Sequence, residues 1–463
     1  MVVGLGTGVR SAAEVLIDLG WSVVAWDRDP DRSRAWAAAR GVELATDQDR
    51  PFPAVTLVIV SAAIDRTHRV YAAADAADVP VVDYPTFLAS WTAVVPTVAI
   101  SGTHGKSTTL ALLRWALPQA GVAGGFECHD GPTGRFGRDL IVVEACEYRA
   151  HFTRLHPNAG CVLNIEHDHP DSFAGIDQTV AAFQRFVDRI PGDGTLFLSA
   201  DCPNASRLVT SARRVWFSVN QRVRPIVARD PVYRLTAGDV ETFKLTLPSG
   251  EAQELTVPNL ARPLWPSLAA AAAIAHESGD GRTLPSRLSG FPGLRQRFEV
   301  QAEGKTVWIS DYAHHPTAVA SVLAEVRRRW PDRLLLAVFE PHQAVRLASF
   351  ASGFANALQL ADEVWLLPIF TAREAVTAED AGARLADFAA SLTVPNRRTR
   401  DVRDLAEQLA KRLASDDLAT VVVQMGAGRI HGPELAALRE RLSVASASTE
   451  THDACGDHDD LGR

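Results

Sequence analysis

Short apolar runs alternate with amphipathic stretches along almost the whole chain. Val2-Val3 leads through a glycine cluster into a helical pattern over Ala12–Leu19, and Ser22–Ala25, Leu57–Val60 and Val79–Val82 read as further strands. A second series follows. Its strands are the run from Thr97, Asp139–Glu144, Ala159–Asn164 and Thr195–Ser199. Its helices follow Lys106 (Leu110, Leu112, Leu113, Leu117), span Ile176–Ile190, and include the Ala-rich Pro266–His276. Within it, Val232–Leu235, Thr242–Leu247 and Glu254–Val257 predict a β insert over 215–257. A third series has strands at Thr306–Ile309, Leu334–Phe339, Val364–Leu367 and Thr420–Gln424, with helices in the gaps.

Strand and helix in alternation predict the α/β class with largely parallel sheets. The expected architecture has three domains. A Rossmann-like N-terminal domain covers 1–95. A central P-loop ATPase-type α/β domain with its β insert covers 96–290. A C-terminal Rossmann-like α/β domain covers 291–445. The remainder, 446–463, is polar and acidic (Asp453, Asp457, Asp459, Asp460) and is expected to be disordered. A length of 463 residues suits that count, at about 100–200 residues per domain.

Charge and composition narrow the function. A net charge of −8 argues against a nucleic-acid partner, whose footprint is basic. No apolar run reaches the ~18 residues of a membrane span, so no membrane insertion is expected. The N-terminus enters a strand directly, without the pattern of a signal peptide. The five cysteines form no CxxC pair and read as reduced thiols, which points to the cytoplasm.

The chemistry centres on Ser101-Gly102-Thr103-His104-Gly105-Lys106-Ser107-Thr108. A buried strand runs into a glycine-bounded turn, then a Lys-Ser pair, then a helix. That is the setting of a phosphate loop, although Ile100 stands where the strict pattern has its first glycine. Gly102 and Gly105 let backbone N–H groups turn inward, and the helix N-terminus adds its positive end. Lys106 suits the terminal phosphates and Ser107 suits Mg²⁺. Glu144 and His169 lie at the ends of the next two strands, where open α/β sheets bind ligands, and are candidate Mg²⁺ contacts. His167 and His169 also read as a zinc pair, though no third ligand stands at a diagnostic spacing. Gly4, Gly6 and Gly8 form a loop that suits a diphosphate, with Asp27 about twenty residues on. Val9 stands where the dinucleotide fingerprint has its last glycine. In the third series, Asp311-Tyr312-Ala313-His314-His315-Pro316, Pro341-His342-Gln343 with Arg346, and Gly426–Arg429 follow strand ends and read as pocket walls.

Taken together, these motifs resemble those of the Mur ligases, over Gly4 to about Leu442. Gly-Thr-His-Gly-Lys-Ser-Thr-Thr matches the family's phosphate loop. Glu144-Ala-Cys-Glu147-Tyr, Asn164-Ile-Glu-His-Asp168-His169, Asp311-Tyr-Ala-His-His-Pro-Thr and Pro341-His342-x-x-x-Arg346 match its later motifs in order and spacing. The match is nearest to those members that join L-alanine to UDP-N-acetylmuramate. The resemblance implies an ATP-dependent carboxylate–amine ligase of peptidoglycan precursor synthesis, working through an acyl phosphate, with ATP and Mg²⁺ as cofactors. It implies that the N-terminal domain binds the UDP-sugar at Gly4, Gly6 and Gly8. Gly102, Thr103, His104, Gly105, Lys106, Ser107 and Thr108 would bind ATP together with Arg297 and Asp311. Lys106, Glu144, His169 and His314 would be catalytic, and Ser107, Glu144 and His169 would hold metal. Tyr312, His314, His342 and Arg346 would surround the amino acid. Closure of the third domain over the second is implied, as is a monomer or homodimer.

The chain departs from the family pattern at several positions. Leu260–Pro266 lacks the family's His and Asn that help hold adenine and phosphate, with Arg262 nearby. Ser310 replaces an Asp, Gln343 an Arg, and Arg429 the Asp of Gly-Ala-Gly-Asp. The exchanges make the pocket more positive than the family norm. They leave two alternatives: a ligase for another amino acid or a peptide, or a nucleotide-binding homologue that has lost catalysis.

Overall fold

Val2 and Val3 are fully buried at the middle of a five-stranded sheet. Its strands run in the order Glu43–Ala45, Val24–Trp26, Val2–Val3, Val58–Val60, Val81–Asp83, all parallel. The computed structural model describes residues 1–28, 30–45, 52–125, 133–220, 230–238, 241–372, 374–415 and 418–441. The tail expected to be disordered, 446–463, lies outside them. The chain divides into two compact units, Met1–Leu294 and Arg295–Arg463, and the first holds two sheets.

The second sheet of the first unit has nine strands, with Thr97–Ser101 between Ile141–Glu144 and Ala159–Val162. Every residue of Thr97–Ser101 is buried, as a strand covered on both faces requires. The helix Lys106–Ala116 packs one face, burying Leu110, Leu112 and Leu113 beside the Ala-rich helix Trp265–Glu277. The predicted β insert is a continuation of this sheet. Arg213–Ser218 pairs parallel with Thr195–Ser199, and Val232–Ala237 pairs parallel with Arg213–Ser218. Thr242–Thr246 and Ala252–Thr256 then add an antiparallel meander. Alternating apolar residues report a half-buried face, but not the sheet to which the face belongs. The two sheets of the first unit share a core: Val15, Leu88 and Trp91 pack with Ala123, Ile141 and Val143.

The second unit carries six strands in the order Glu299–Ala302, Thr306–Asp311, Thr420–Met425, Leu334–Phe339, Glu363–Leu366, Asn396–Arg398. Only the Glu299–Ala302 edge is antiparallel. Thr420–Met425 is chain-late yet central. It puts the loop after Met425 between those after Asp311 and Phe339, the strand-order reversal at which α/β sheets bind ligands.

Candidate active site

Strand order brings the phosphate loop between two polar strand ends. Gly102 has φ +144°, and a Cβ there would stand 2.9 Å from Cβ of Leu163. Gly105 has φ +86°, and a Cβ would stand 2.8 Å from Oγ of Ser267. Both positions demand glycine for conformation and for space. The loop is tied to the end of Ala159–Val162. His104 N donates to Oδ1 of Asn164 at 2.8 Å, Nδ2 of Asn164 donates back to His104 O at 3.1 Å, and Thr103 N donates to Asn164 O at 3.1 Å. Glu166 N donates to Oγ1 of Thr103 at 2.9 Å. Ser267, from the Ala-rich helix, donates to Gly105 O at 3.2 Å.

Lys106 points back over its own loop. Its Nζ donates to Gly102 O at 2.5 Å and lies 2.8 and 3.1 Å from the two carboxylate oxygens of Glu147. Burial pulls its pKa down, but Glu147, Cys146 and Glu144 together outweigh burial and raise it, so the ammonium stays charged. Cys146 is driven the other way, its thiol pushed up to about 12 by burial and then by Glu147. It is therefore an inert thiol. Glu144 ends the neighbouring strand Ile141–Glu144. Its Oε2 accepts Gly125 N at 2.8 Å and lies 3.4 Å from Oγ of Ser107. Thr108 is buried beneath the loop.

Sequence reasoning quoted Glu147 and Asp168 without giving them a role, and the fold does. One ligand atom from each of Glu147, Asp168 and His169 lies within 4.8 Å of the others. His169 has φ +54°, an uncommon conformation for a residue with a Cβ, and its Nε2 lies 3.7 Å from Glu147. The repeated acid three residues past Glu144 was the available signal. His167 does not join His169. Its Nε2 bonds Phe173 O at 3.0 Å, and among the described residues it belongs to no group of three ligand atoms. Thus the donor sets that suit a hard divalent cation are Ser107 with Glu144, and Glu147 with Asp168 and His169.

The glycine loop begins as expected and then differs. Gly4 turns at φ +78°, and Leu5 N donates to Oδ2 of Asp27 at 2.5 Å, so that acid braces the loop itself. The helix starts at Thr7, not Ala12, because Gly6 supplies an extended N-cap residue. Gly8 thus lies in its first turn, where a Cβ would meet the ring of Tyr84 at 2.9 Å.

In the second unit, Asp311 is buried and takes two backbone donors, Phe298 N and Ala313 N, each at 2.7 Å. Burial raises its pKa against the opposing pull of Arg297. The guanidinium of Arg297 lies 5.2 Å over the ring of Tyr312. Rings then follow in contact: Tyr312 to His314 at 5.1 Å, His314 to His342 at 5.6 Å, and His342 to Phe370 at 5.7 Å. Nδ1 of His314 is bonded to Tyr312 O at 2.8 Å, which can only accept, so Nδ1 carries a proton. Arg346 is 1% exposed, on the buried face of the helix Ala344–Ser349. Gln343 has φ +66°. Ser310 bonds Nδ1 of His431 at 3.0 Å, and Arg429 is exposed.

The two sheet-end clusters have the look of a nucleotide-dependent transferase or ligase, and comparison with known proteins decides between them. Residues 133–275 match the Mur ligase middle domain, and residues 296–428 match the glutamate ligase domain of Mur ligases. A UDP-N-acetylmuramate–L-alanine ligase from Mycobacterium marinum is 33% identical over 95% of this chain and 94% of its own length. The chain belongs to the Mur ligase family. Among solved Mur ligase structures, the UDP-N-acetylmuramate–alanine ligase of Thermotoga maritima superposes with a TM-score of 0.76 at 20% identity, covering 96% of this chain and 99% of its own. A murein peptide ligase from Psychrobacter arcticus gives 0.70 at 20% identity, covering 94% and 98%. At that identity they speak for the three-sheet Mur ligase fold. Among the described residues no helix is long and apolar enough to cross a membrane.

Proposed function

We propose that this chain joins L-alanine to UDP-N-acetylmuramate with cleavage of ATP to ADP and phosphate. The observation that carries the reading is the setting of Lys106: a charged ammonium on a phosphate loop, two glycine turns behind it, and Ser107 and Glu144 within 3.4 Å of each other beside it. The first unit then holds ATP and the sugar nucleotide, with residues 1–95 as the sugar-nucleotide domain and 96–290 as the ATP domain. The second unit, from about 291, serves the amino acid and the nucleoside end of ATP.

A carboxylate oxygen of UDP-N-acetylmuramate attacks the γ-phosphorus, the bond to the β-phosphate oxygen breaks, and ADP leaves. The amino nitrogen of alanine then attacks the acyl carbon, phosphate leaves, and the nitrogen gives up a proton. Lys106 and the loop N–H groups meet the charge that builds on the moving phosphoryl group. When bound, Mg²⁺ neutralises phosphate oxygens, held by Ser107 and Glu144, with Glu147, Asp168 and His169 as the second donor set. His314, with Nδ1 protonated, presents Nε2 as the acceptor for the amine proton. His342 and Tyr312 border the amino acid, with Arg346 buried on the helix that follows His342.

The test is phosphate release with UDP-N-acetylmuramate, ATP and each amino acid in turn. Release that needs L-alanine upholds the reading. Release with a peptide alone would move the chain to a peptide ligase, and ATP binding without release in any mixture would make it a non-catalytic homologue.

A further inference from the structure

Phe370 stands where three strand ends of the second unit meet, and nothing in the motif pattern singles it out. It follows the strand Glu363–Leu366 and is stitched to the His342 segment on both sides. Phe370 N donates to Pro341 O at 2.8 Å, and Gln343 N donates to Phe370 O at 2.9 Å. Its ring packs on the His342 ring, centroids 5.7 Å apart and 33° from parallel. Across from it runs the loop after Met425. A Cβ placed on Gly428 would stand 2.7 Å from Cγ of Phe370 and 2.6 Å from Oε2 of Glu340. The far side of Gly428 is fixed as well, because the two carboxylate oxygens of Glu340 accept Arg429 N at 3.0 Å and Ile430 N at 3.1 Å.

Three features follow. The ring row Tyr312, His314, His342 is polar and ends on an apolar ring. Phe370 is only half-buried, so part of the residue is not covered by its neighbours. Neither its backbone nor the loop opposite can retreat: two backbone hydrogen bonds hold the first, and the Glu340 carboxylate holds two N–H groups of the second. We propose that Phe370 is the specificity-determining wall of the amino-acid site, and that it limits the amino acid to a side chain no larger than that of alanine or serine. The proposal rests on the ligase reading above and names which residue sets its substrate range. A larger side chain would need the ring to move, and the pinned backbone leaves only the rotamer to give. Rigid exclusion of one extra methyl group or two is worth roughly tenfold or more in kcat/KM.

The experiment measures kcat/KM for glycine, L-alanine, L-serine and L-valine in the unaltered chain and in Phe370→Leu and Phe370→Ala. The leucine variant keeps an apolar group under the loop and guards against a fold defect in the alanine variant. The expected result is a preference for L-alanine over L-valine that falls about tenfold or more in the alanine variant, less in the leucine variant, with KM for ATP unchanged in both. An unaltered chain active with L-alanine, and variants whose alanine-to-valine ratio stays the same, would overturn the wall and leave the ligase reading standing. No turnover by the unaltered chain with any amino acid would overturn both.

Discussion

Lys106 and Glu147 form a buried ion pair, Nζ 2.8 Å from one carboxylate oxygen and 3.1 Å from the other, with side chains 12% and 2% exposed. On the function proposed above, the cation that would meet phosphate is already held by a carboxylate just past the next strand end. Nucleotide would have to displace Glu147 from Lys106, and Glu147 has Asp168 and His169 beside it.

Removing either member should therefore act differently. Glu147→Gln leaves a buried ammonium with two loop carbonyls and a neutral amide. Breaking one side of a buried pair costs about 3–5 kcal/mol, so equilibrium denaturation at neutral pH should show a loss of that order. Lys106→Ala should lower kcat by a hundredfold or more, the order seen when one donor to developing charge is removed. An alanine variant with near-normal turnover would show that Lys106 serves no phosphate.

Glu14 joins the two sheets of the first unit. It is 3% exposed on the helix that follows the glycine loop, and it accepts four donors. Trp36 Nε1 at 3.0 Å and Arg40 Nε at 3.1 Å come from the first sheet's side. Thr133 Oγ1 at 2.9 Å and Gly134 N at 2.6 Å come from the segment that leads to Ile141–Glu144. Each oxygen accepts two of the four, so Glu14→Gln must turn its amide NH₂ toward two of these donors. The expected loss is about 1.5–3 kcal/mol, the range for hydrogen bonds to a charged group. Because the clasp fixes the glycine loop relative to the phosphate loop, KM for UDP-N-acetylmuramate should rise more than KM for ATP. Equal effects on both would limit Glu14 to a general stabilising role.

The parts of this fold legible in the sequence are those decided locally. Thr97–Ser101 carries the apolar run Val98–Ile100 and is ended by Gly102, and its burial and its turn are both written into six residues. Gly105 shows the limit. Its φ is readable from the motif, but the Ser267 hydroxyl that crowds it lies 162 residues later. Short edge strands such as Glu43–Ala45, Gly121–Ala123 and Asn396–Arg398 form because a neighbour offers unpaired N–H and C=O groups, not because their own residues favour extension. Gly8 was readable as a glycine but not as the seat of the Tyr84 ring. Arg346 was readable as a cation near His342, but only the packed structure shows that it lies on the buried face of its helix. Glu147 had a sequence signal in its spacing from Glu144; Phe370 had none.

Gly428 offers a check on the opposite wall from Phe370. Its φ is −123°, outside the left-handed region. The conflict is one of space, with Phe370 and Glu340 both under 3 Å from a new methyl group. Gly428→Ala should cost about 1–3 kcal/mol, as overpacking does. It should also raise KM for L-alanine, while KM for UDP-N-acetylmuramate stays put. Combining it with Phe370→Ala should recover part of the stability, since alanine lacks the Cγ that the new methyl group would meet. A double variant as unstable as the sum of the singles would mean that the two residues do not press on each other.

Acid should loosen the loop after Met425 through His431. Its Nε2 is bonded to Gly426 O at 2.8 Å, and a carbonyl only accepts, so Nε2 carries the proton. Nδ1 is then free to accept the Ser310 hydroxyl at 3.0 Å. Both nitrogens are satisfied by the neutral ring. Burial lowers its pKa, partly opposed by the bond to Gly426 O and by the charge of Glu299. With the folded value below the unfolded value near 6.5, the unfolded chain binds the extra proton as pH falls. Stability from this site is complete above the unfolded value and is lost as pH drops through the folded one. Asp311 and Glu340 are raised by burial and act in the opposite sense, stabilising most at low pH and less as pH rises. A variant that keeps both acids isolates the histidine. The denaturation midpoint at pH 7.5 minus that at pH 5.5 should therefore be more positive in the unaltered chain than in His431→Gln, whose amide can still donate to Gly426 O and has no proton to gain in this range. Equal differences would show that the ring takes up its proton at the same pH folded and unfolded, and that the Ser310–His431–Gly426 strut is indifferent to charge.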